Sequence, residues 1–396
     1  MKLDDTLIAR LHAAVHDAFE GWQVPRLVAL VEQPSHTYAR DDVEAAAALF
    51  DGWAAELGLS VERHPDPAGR FADHRVYATP ATGDGTAAAL VGHIDTVFPR
   101  STGFLRWRRE GDRGHGPGAL DMKSGLVAML AALRALAAVD PARAARLALR
   151  LVVVTDEEVS SPSSRALWPA LLPKVSHALV LESGRDEDRV VIARKGSASY
   201  TVTAHGRAAH SGNKHAEGRS AIHALCLLVP SIEALTDDAT GLTVSVGLIS
   251  GGTARNTVPE TARCEVDARF ERVADAEKLD AAMRALEATP LPGRLADVRI
   301  EVGGGIARPP MEATDAMRAL ADRYGAHARR AGLGAGPAPL QGGGSDANLI
   351  AAAGVPCVDG LGPAGQHYHR TDEWCSLDSL RRRTQALVTF LAEEAG

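Results

Sequence analysis

The chain has no apolar run long enough to span a bilayer, no basic tract, and only four cysteines, none in a CxxC pair. The first absence excludes a helical membrane span. The second, with a formal net charge of -7 and an isoelectric point near 6.1, removes the electrostatic footprint of a nucleic-acid binder, because Lys and Arg are interspersed with acids. Cys226, Cys264, Cys357 and Cys375 stand far apart, so neither a thiolate zinc site nor a disulfide framework is expected, and they read as buried apolar residues. The opening MKLDDTLIARLHAAVHDAF mixes charges into helical periodicity where a secretory leader would be uninterrupted apolar sequence, so a cytoplasmic protein is expected. There is no internal repeat and no low-complexity tail. Apolar material is plentiful: 396 residues at 45% hydrophobic suffice for two or three domains, each with its own core.

Periodicity divides the chain into two kinds of segment. Residues 41–59 repeat apolar positions at helical spacing, open with acids and stop at Gly58, which predicts a helix. Residues 87–92, 147–154 and 178–181 are continuous apolar runs, as expected of strands covered on both faces. A long helix is predicted between the first two, at 122–138. This alternation predicts an α/β layer with a mostly parallel sheet, whose ligands collect beyond the carboxyl ends of the strands. From residue 197 the pattern becomes strand SASYTVTAHG, a helix over 217–235, strands LTVSVGLISGG and TARCEVDARF, a helix over 274–287, and strand VRIEVGG. That is the split β-α-β-β-α-β order of a ferredoxin-like α+β domain. The flanks RKG and RPP read as two crossings of a hinge. The expected division is a first catalytic segment at 1–196, an inserted domain at 197–307 and a second catalytic segment at 308–396. In that last segment a helix at 313–331, the turn QGGGSDAN and the apolar run 351–358 return to α/β character.

Acids and histidines gather at the ends of the predicted strands. His93 and Asp95 follow the first run, two residues apart and so on one side of an extended segment. The aspartate can accept the imidazole N–H and hold the ring for a metal, although HxD alone reads as a surface or core-capping histidine. Asp121 stands directly before the 122–138 helix. An N-cap accounts for it alone, yet in company with other ligands its two oxygens can bridge two cations about 3.5–4 Å apart. Asp156, Glu157 and Glu158 end the second run, where three adjacent acids repel one another unless cations neutralise them; a solvated turn is the plain alternative. Of two neighbouring glutamates on such a turn, one can bind a metal while the other faces water as a general base. Glu182 ends the third run, and His369 lies in GQHYHRTDEW with His367 as its rival. Each is an ordinary polar residue alone. Together these imidazole and carboxylate donors suit zinc and admit manganese or cobalt.

Eight segments in order carry a resemblance: GHIDTVF, GHGPGALDMKSG, VVVTDEE, LVLES, GRAAHSG, GGTARNTVP, GGGSDAN and HRTDE. Over nearly its whole length the chain resembles the M20 family of co-catalytic zinc peptidases and deacylases, with the best fit to glutamate carboxypeptidases. The resemblance implies two zinc ions per chain bridged by Asp121, with His93 and Glu182 on one and Glu158 and His369 on the other. It implies Glu157 as general base, Asp95 as the residue that orients His93, and His369 rather than His367 as ligand because Glu373 follows four residues later. The inserted domain becomes a lid and dimerisation domain. His210 in GRAAHSG, otherwise a polar turn, is then the oxyanion donor, reaching across within a homodimer.

Asn256 and Arg308 are implied to hold the substrate's free carboxylate, although Arg308 also reads as a hinge salt bridge. Arg269 reads either as a further substrate contact or as a strand arginine paired with Asp267. Arg189 falls near the place where glutamate carboxypeptidases put a lysine for the substrate's acidic side chain, in a loop of different length. Gly343 and Gly344 read as pocket-lining backbone N–H groups or as a structural turn. The implied activity is cleavage of an amide beside a free carboxylate, releasing a C-terminal amino acid from a small peptide or N-acyl amino acid. An N-acyl-amino-acid deacylase, of acetylornithine deacetylase or desuccinylase type, and a dipeptidase are alternatives on the same scaffold. A non-enzymatic binding protein would normally have lost a ligand or the base, and every expected position is filled.

Overall fold

The three continuous apolar runs lie side by side in one sheet. In the computed structural model, which describes residues 3–83 and 86–396, they form the strands Ala87–His93, Leu149–Val154 and Val175–Val180. Ala87–His93 lies between the other two and is parallel to both, and Cys357–Val358 adds a further parallel strand beyond Val175–Val180. On the opposite side Leu149–Val154 pairs antiparallel with His74–Ala78, and this strand pairs antiparallel with the edge strand Ser60–His64. The six-stranded sheet is therefore parallel through its centre and antiparallel at one side. Burial follows the order: all seven residues of Ala87–His93 are buried, whereas Ser60–His64 is almost wholly exposed. Its polar sequence SVERH offers no apolar run to detect.

Register brings the site together. His93 pairs with Val154, and Val91 pairs with Val180, so three parallel strands end nearly level at their carboxyl edge. His93, the turn after Val154 and Glu182 all emerge there. The helix Lys123–Val139 is buried along most of its length. Gly125 permits its close approach, because a side chain there would meet the Leu181 carbonyl. The expected helix at 41–59 runs Arg40–Glu56 and stops at Gly58, whose φ is 73°. The C-terminal helix Leu377–Glu394, capped by the Ser376 side chain on Ser379 N, packs on Lys123–Val139. No described helix is long and apolar enough to cross a membrane.

The chain divides into two compact units. One comprises Met1–Ile192, Ala313–Leu340 and Ser345–Gly396; the other comprises Ala193–Glu312 with Gln341–Gly344. The second unit holds a four-stranded antiparallel sheet in the order Thr243–Gly251, Thr261–Phe270, Gly196–His205, Arg299–Arg308. Strict alternation along Gly196–His205 points Ala198, Tyr200, Val202 and Ala204 into a core shared with the helices Ala221–Glu233 and Val273–Ala285. Strand and helix order are those of the split β-α-β-β-α-β arrangement.

Candidate metal centre

Asp121 faces two donor sets with its two oxygens. His93 Nε2 lies 3.2 Å from Asp121 Oδ1 and 3.7 Å from Glu182 Oε1. His369 Nε2 lies 3.4 Å from Asp121 Oδ2 and 3.0 Å from Glu158 Oε2. Within each trio, His93–Asp121–Glu182 and Asp121–Glu158–His369, the potential ligand atoms lie within 4.8 Å of one another. His367 is turned elsewhere, with Nδ1 3.0 Å from Asp372 Oδ2.

The electrostatics of this cluster ask for cations. Burial, reinforced by the Asp121 charge, pushes Glu158 up to about 8; burial also raises Glu182 well above the carboxylate range despite His93 beside it. Hydrogen bonds with Asp121 and Glu158 push His369 up to about 10. For His93 burial opposes protonation, but Glu182, Asp121 and Asp95 outweigh it and raise the imidazole well above its ordinary value. Burial likewise opposes ionisation of Asp121, yet its hydrogen bonds with His369 and His93 hold it below the usual range. Imidazoles and carboxylates that must hold extra protons to share a buried space form a donor set that fits two divalent ions.

Other side chains fix these groups. His93 Nδ1 is 3.0 Å from the Asp95 backbone carbonyl and 3.4 Å from its carboxylate. The Asp95 carboxylate also reaches further, accepting Glu157 N at 3.3 Å, Glu158 N at 3.2 Å and Thr37 Oγ1 at 2.7 Å. Asp95 thus ties the His93 strand to the acidic turn. Glu157 begins a short 3-10 segment, and its charge acts on both Glu158 and Glu182. Asp156, alike in sequence, points away and accepts Ser163 N, Ser164 N and Ser164 Oγ. Glu373 is wholly buried and accepts the N–H groups of Gly118, Leu120 and Asp121. Lys123, also wholly buried, donates to the Gln33 carbonyl, and burial pushes its pKa down to about 7.

The sequence matches the Peptidase family M20/M25/M40 over residues 89–393. The chain belongs to this family. It is 28% identical to carboxypeptidase G2 of Pseudomonas sp. (strain RS-16) over 367 residues, 91% of this chain and 86% of that protein. It is 30% identical to the succinyl-diaminopimelate desuccinylase of Methylobacterium sp. (strain 4-46) over 360 residues, 85% of this chain and 88% of that protein. In fold it is similar to aminopeptidase PepT from Bacillus cereus, with a TM-score of 0.78 at 23% identity over 95% of this chain and 99% of that one. The Bacillus subtilis YXEP protein, a dinuclear metal binding peptidase from the M20 family, matches with a TM-score of 0.69 at 15% identity, over 95% of this chain and 98% of that one.

The second unit of this M20 peptidase carries the remaining expected residues except Arg189, which lies in the first. His210 pairs with Thr257 in a short antiparallel ribbon, and the Asn256 carbonyl accepts Ser211 N, so His210 and Asn256 share one local structure. His210 Nδ1 accepts from Gly212 N at 3.1 Å and Asn213 N at 3.2 Å, which leaves the ring proton on Nε2. Arg308 is buried at the end of its strand, opposite Ser197. Three of the expected substrate contacts have local partners. Arg269 is held bidentately by Asp267, at 3.0 Å twice, the pairing that its strand position offers. Arg189 is drawn onto Glu187 at 2.6 Å. The Gly343 carbonyl accepts from Arg194, and Ser345 caps the helix Asp346–Ala352 in a capping box with Asn348.

Proposed function

We propose that this chain is a di-metal exopeptidase that hydrolyses an amide beside a free carboxylate and releases a C-terminal amino acid, as its resemblance to glutamate carboxypeptidases and its carboxypeptidase G2 relative suggest. The observation that carries this reading is Asp121, one oxygen toward His93 and Glu182 and the other toward His369 and Glu158, with Glu157 adjoining on the same turn. Zinc, or manganese or cobalt, held by these five residues would supply Lewis acidity toward the scissile carbonyl and toward water.

The chain's own groups do the rest. Glu157 takes a proton from water as it adds to the carbonyl carbon and returns it to the leaving amine nitrogen. Asp95 keeps the Glu157–Glu158 backbone in register with His93 through two N–H bonds. His210 offers Nε2–H to the oxyanion, a donor role that its Nδ1 bonds preserve. Asn256 and Arg308 hold the substrate carboxylate. The exposed Arg189–Glu187 pair leaves Arg189 able to turn to an acidic side chain, and the desuccinylase relative keeps the N-acyl-amino-acid deacylase reading beside the carboxypeptidase one.

The test is hydrolysis, by zinc-loaded protein, of folate-type acyl-glutamates, N-succinyl and N-acetyl amino acids, and unblocked dipeptides. The reading expects cleavage that disappears when the substrate's free carboxylate is amidated. Cleavage that ignores the carboxylate, or none at all, overturns it.

We infer further that the chain forms a homodimer through the inserted unit. Thr243–Gly251 is an edge strand without a charge, and it exposes Leu248 and Ile249 at 63% and 56%. Such edges are templates for strand pairing.

A further inference from the structure

The turn that bears Glu157 and Glu158 is held from behind by a buried polar chain. We propose that His74 is a positioning residue for this turn: a neutral strut with a fixed tautomer that joins its first residue, Thr155, to its far end at Ser163. The proposal rests on the assignment of Glu157 and Glu158 as base and ligand.

The geometry is explicit. His74, on the strand next to Leu149–Val154, is fully buried. Its Nδ1 accepts from Thr155 N at 3.3 Å, so the ring proton resides on Nε2. Nε2 lies 3.2 Å from Ser163 Oγ, and Ser163 Oγ donates to Asp66 Oδ1 at 3.0 Å. Asp66 is anchored in turn by the N–H groups of Ala68, Arg70 and Phe71. Hydrogen bonds therefore run in one direction: Thr155 N–H to His74, His74 to Ser163, Ser163 to Asp66. Burial holds the imidazole below its ordinary pKa in spite of Asp156, Asp95 and Asp66 nearby, which keeps Nδ1 an acceptor.

This direction also excludes a serine nucleophile. A histidine that activates a serine must take its proton, but here the facing nitrogen already carries one and the Ser163 hydroxyl points to a carboxylate. A strut is needed because the turn is conformationally awkward. Ser160 and Ser161 both adopt left-handed φ, 69° and 54°, which non-glycine residues hold only under constraint from their surroundings. The Ser161 hydroxyl is separately tied to Asp346 at 2.6 Å, so the turn is pinned at its start, its middle and its end.

The experiment compares His74→Phe, His74→Asn and His74→Gln in zinc-loaded protein. Asn places an oxygen where Nδ1 accepts, and Gln places an N–H where Nε2 donates. Histidine-labelled protein should show the Nε2–H tautomer for the resonance missing from the variants. His74→Phe should accelerate amide exchange across 155–164 and lower kcat about 10- to 100-fold at nearly unchanged KM. Asn and Gln should each recover part of both effects. A parent-like exchange pattern and kcat in folded His74→Phe, or an Nδ1–H tautomer, overturns the proposal. Tautomer and exchange are read without substrate, so failure of the proposed hydrolysis would show as an inactive parent with these two results intact.

Discussion

Glu373 offers the sharpest test of how Asp121 is held. One carboxylate oxygen accepts Leu120 N at 2.7 Å and Asp121 N at 3.0 Å, and the other accepts Gly118 N at 3.3 Å. Burial first, and then the Asp121 charge, push Glu373 up to about 7, while the three N–H groups favour its ionised form. Glu373→Ala strands three buried donors at about 1–3 kcal/mol each, about 3–9 kcal/mol before relaxation. That is comparable to the total stability of a typical domain. Glu373→Gln retains an oxygen for Leu120 and Asp121 but sets an amide NH2 against Gly118 N–H, a loss of about 1–3 kcal/mol. The loop positions Asp121, so zinc affinity should fall about 10- to 100-fold in the Gln variant and further in the Ala variant. Chelator competition and denaturant unfolding measure the two effects. If both variants bind zinc with parent affinity and unfold at the parent midpoint, Glu373 does not hold Asp121 in place.

Other consequences follow from the same structure. Because His369 is pushed up to about 10 and Glu158 to about 8, metal binding must displace protons at neutral pH. Apparent affinity should rise with pH, about one decade per pH unit for each proton released, and calorimetry in buffers of different ionisation enthalpy counts those protons. In the chelated protein both groups bind protons more tightly folded than unfolded. Their contribution is full below the unfolded values and drains as pH rises from 4.5 to about 8 for Glu158 and from 6.5 to about 10 for His369, so the unfolding midpoint should fall across those windows. Arg269→Ala should leave kcat/KM within about twofold, since it breaks only a surface pair worth about 0.2–1 kcal/mol; a larger loss would restore it to the substrate site. Leu248→Lys, by charging the exposed edge strand, should convert dimer to monomer in sedimentation, and an unchanged mass would contradict the interface.

Legibility in the sequence tracked the kind of interaction involved. His93 and Glu182 were visible because the strands before them are continuous apolar runs, and register then brings those strand ends together. Ser60–His64 and His74–Ala78 were not anticipated, since an exposed edge and its charged neighbour have no apolar signature. Asp156 looked like a third member of an acidic run, and only tertiary contact shows it serving Ser163 and Ser164. Glu373 was visible as a marker beside His369, but its role depends on a loop some 250 residues away in sequence. Arg269 had its partner in plain view, as Asp267 two residues earlier shares its side of the strand.

If Glu157 moves the proton while its neighbour Glu158 holds a metal, Glu157→Ala separates the two roles. The variant should hold two metal ions per chain, keep the parent unfolding midpoint and show a kcat about 100- to 10,000-fold below the parent. Turnover within tenfold of the parent at full metal content would contradict this division of roles.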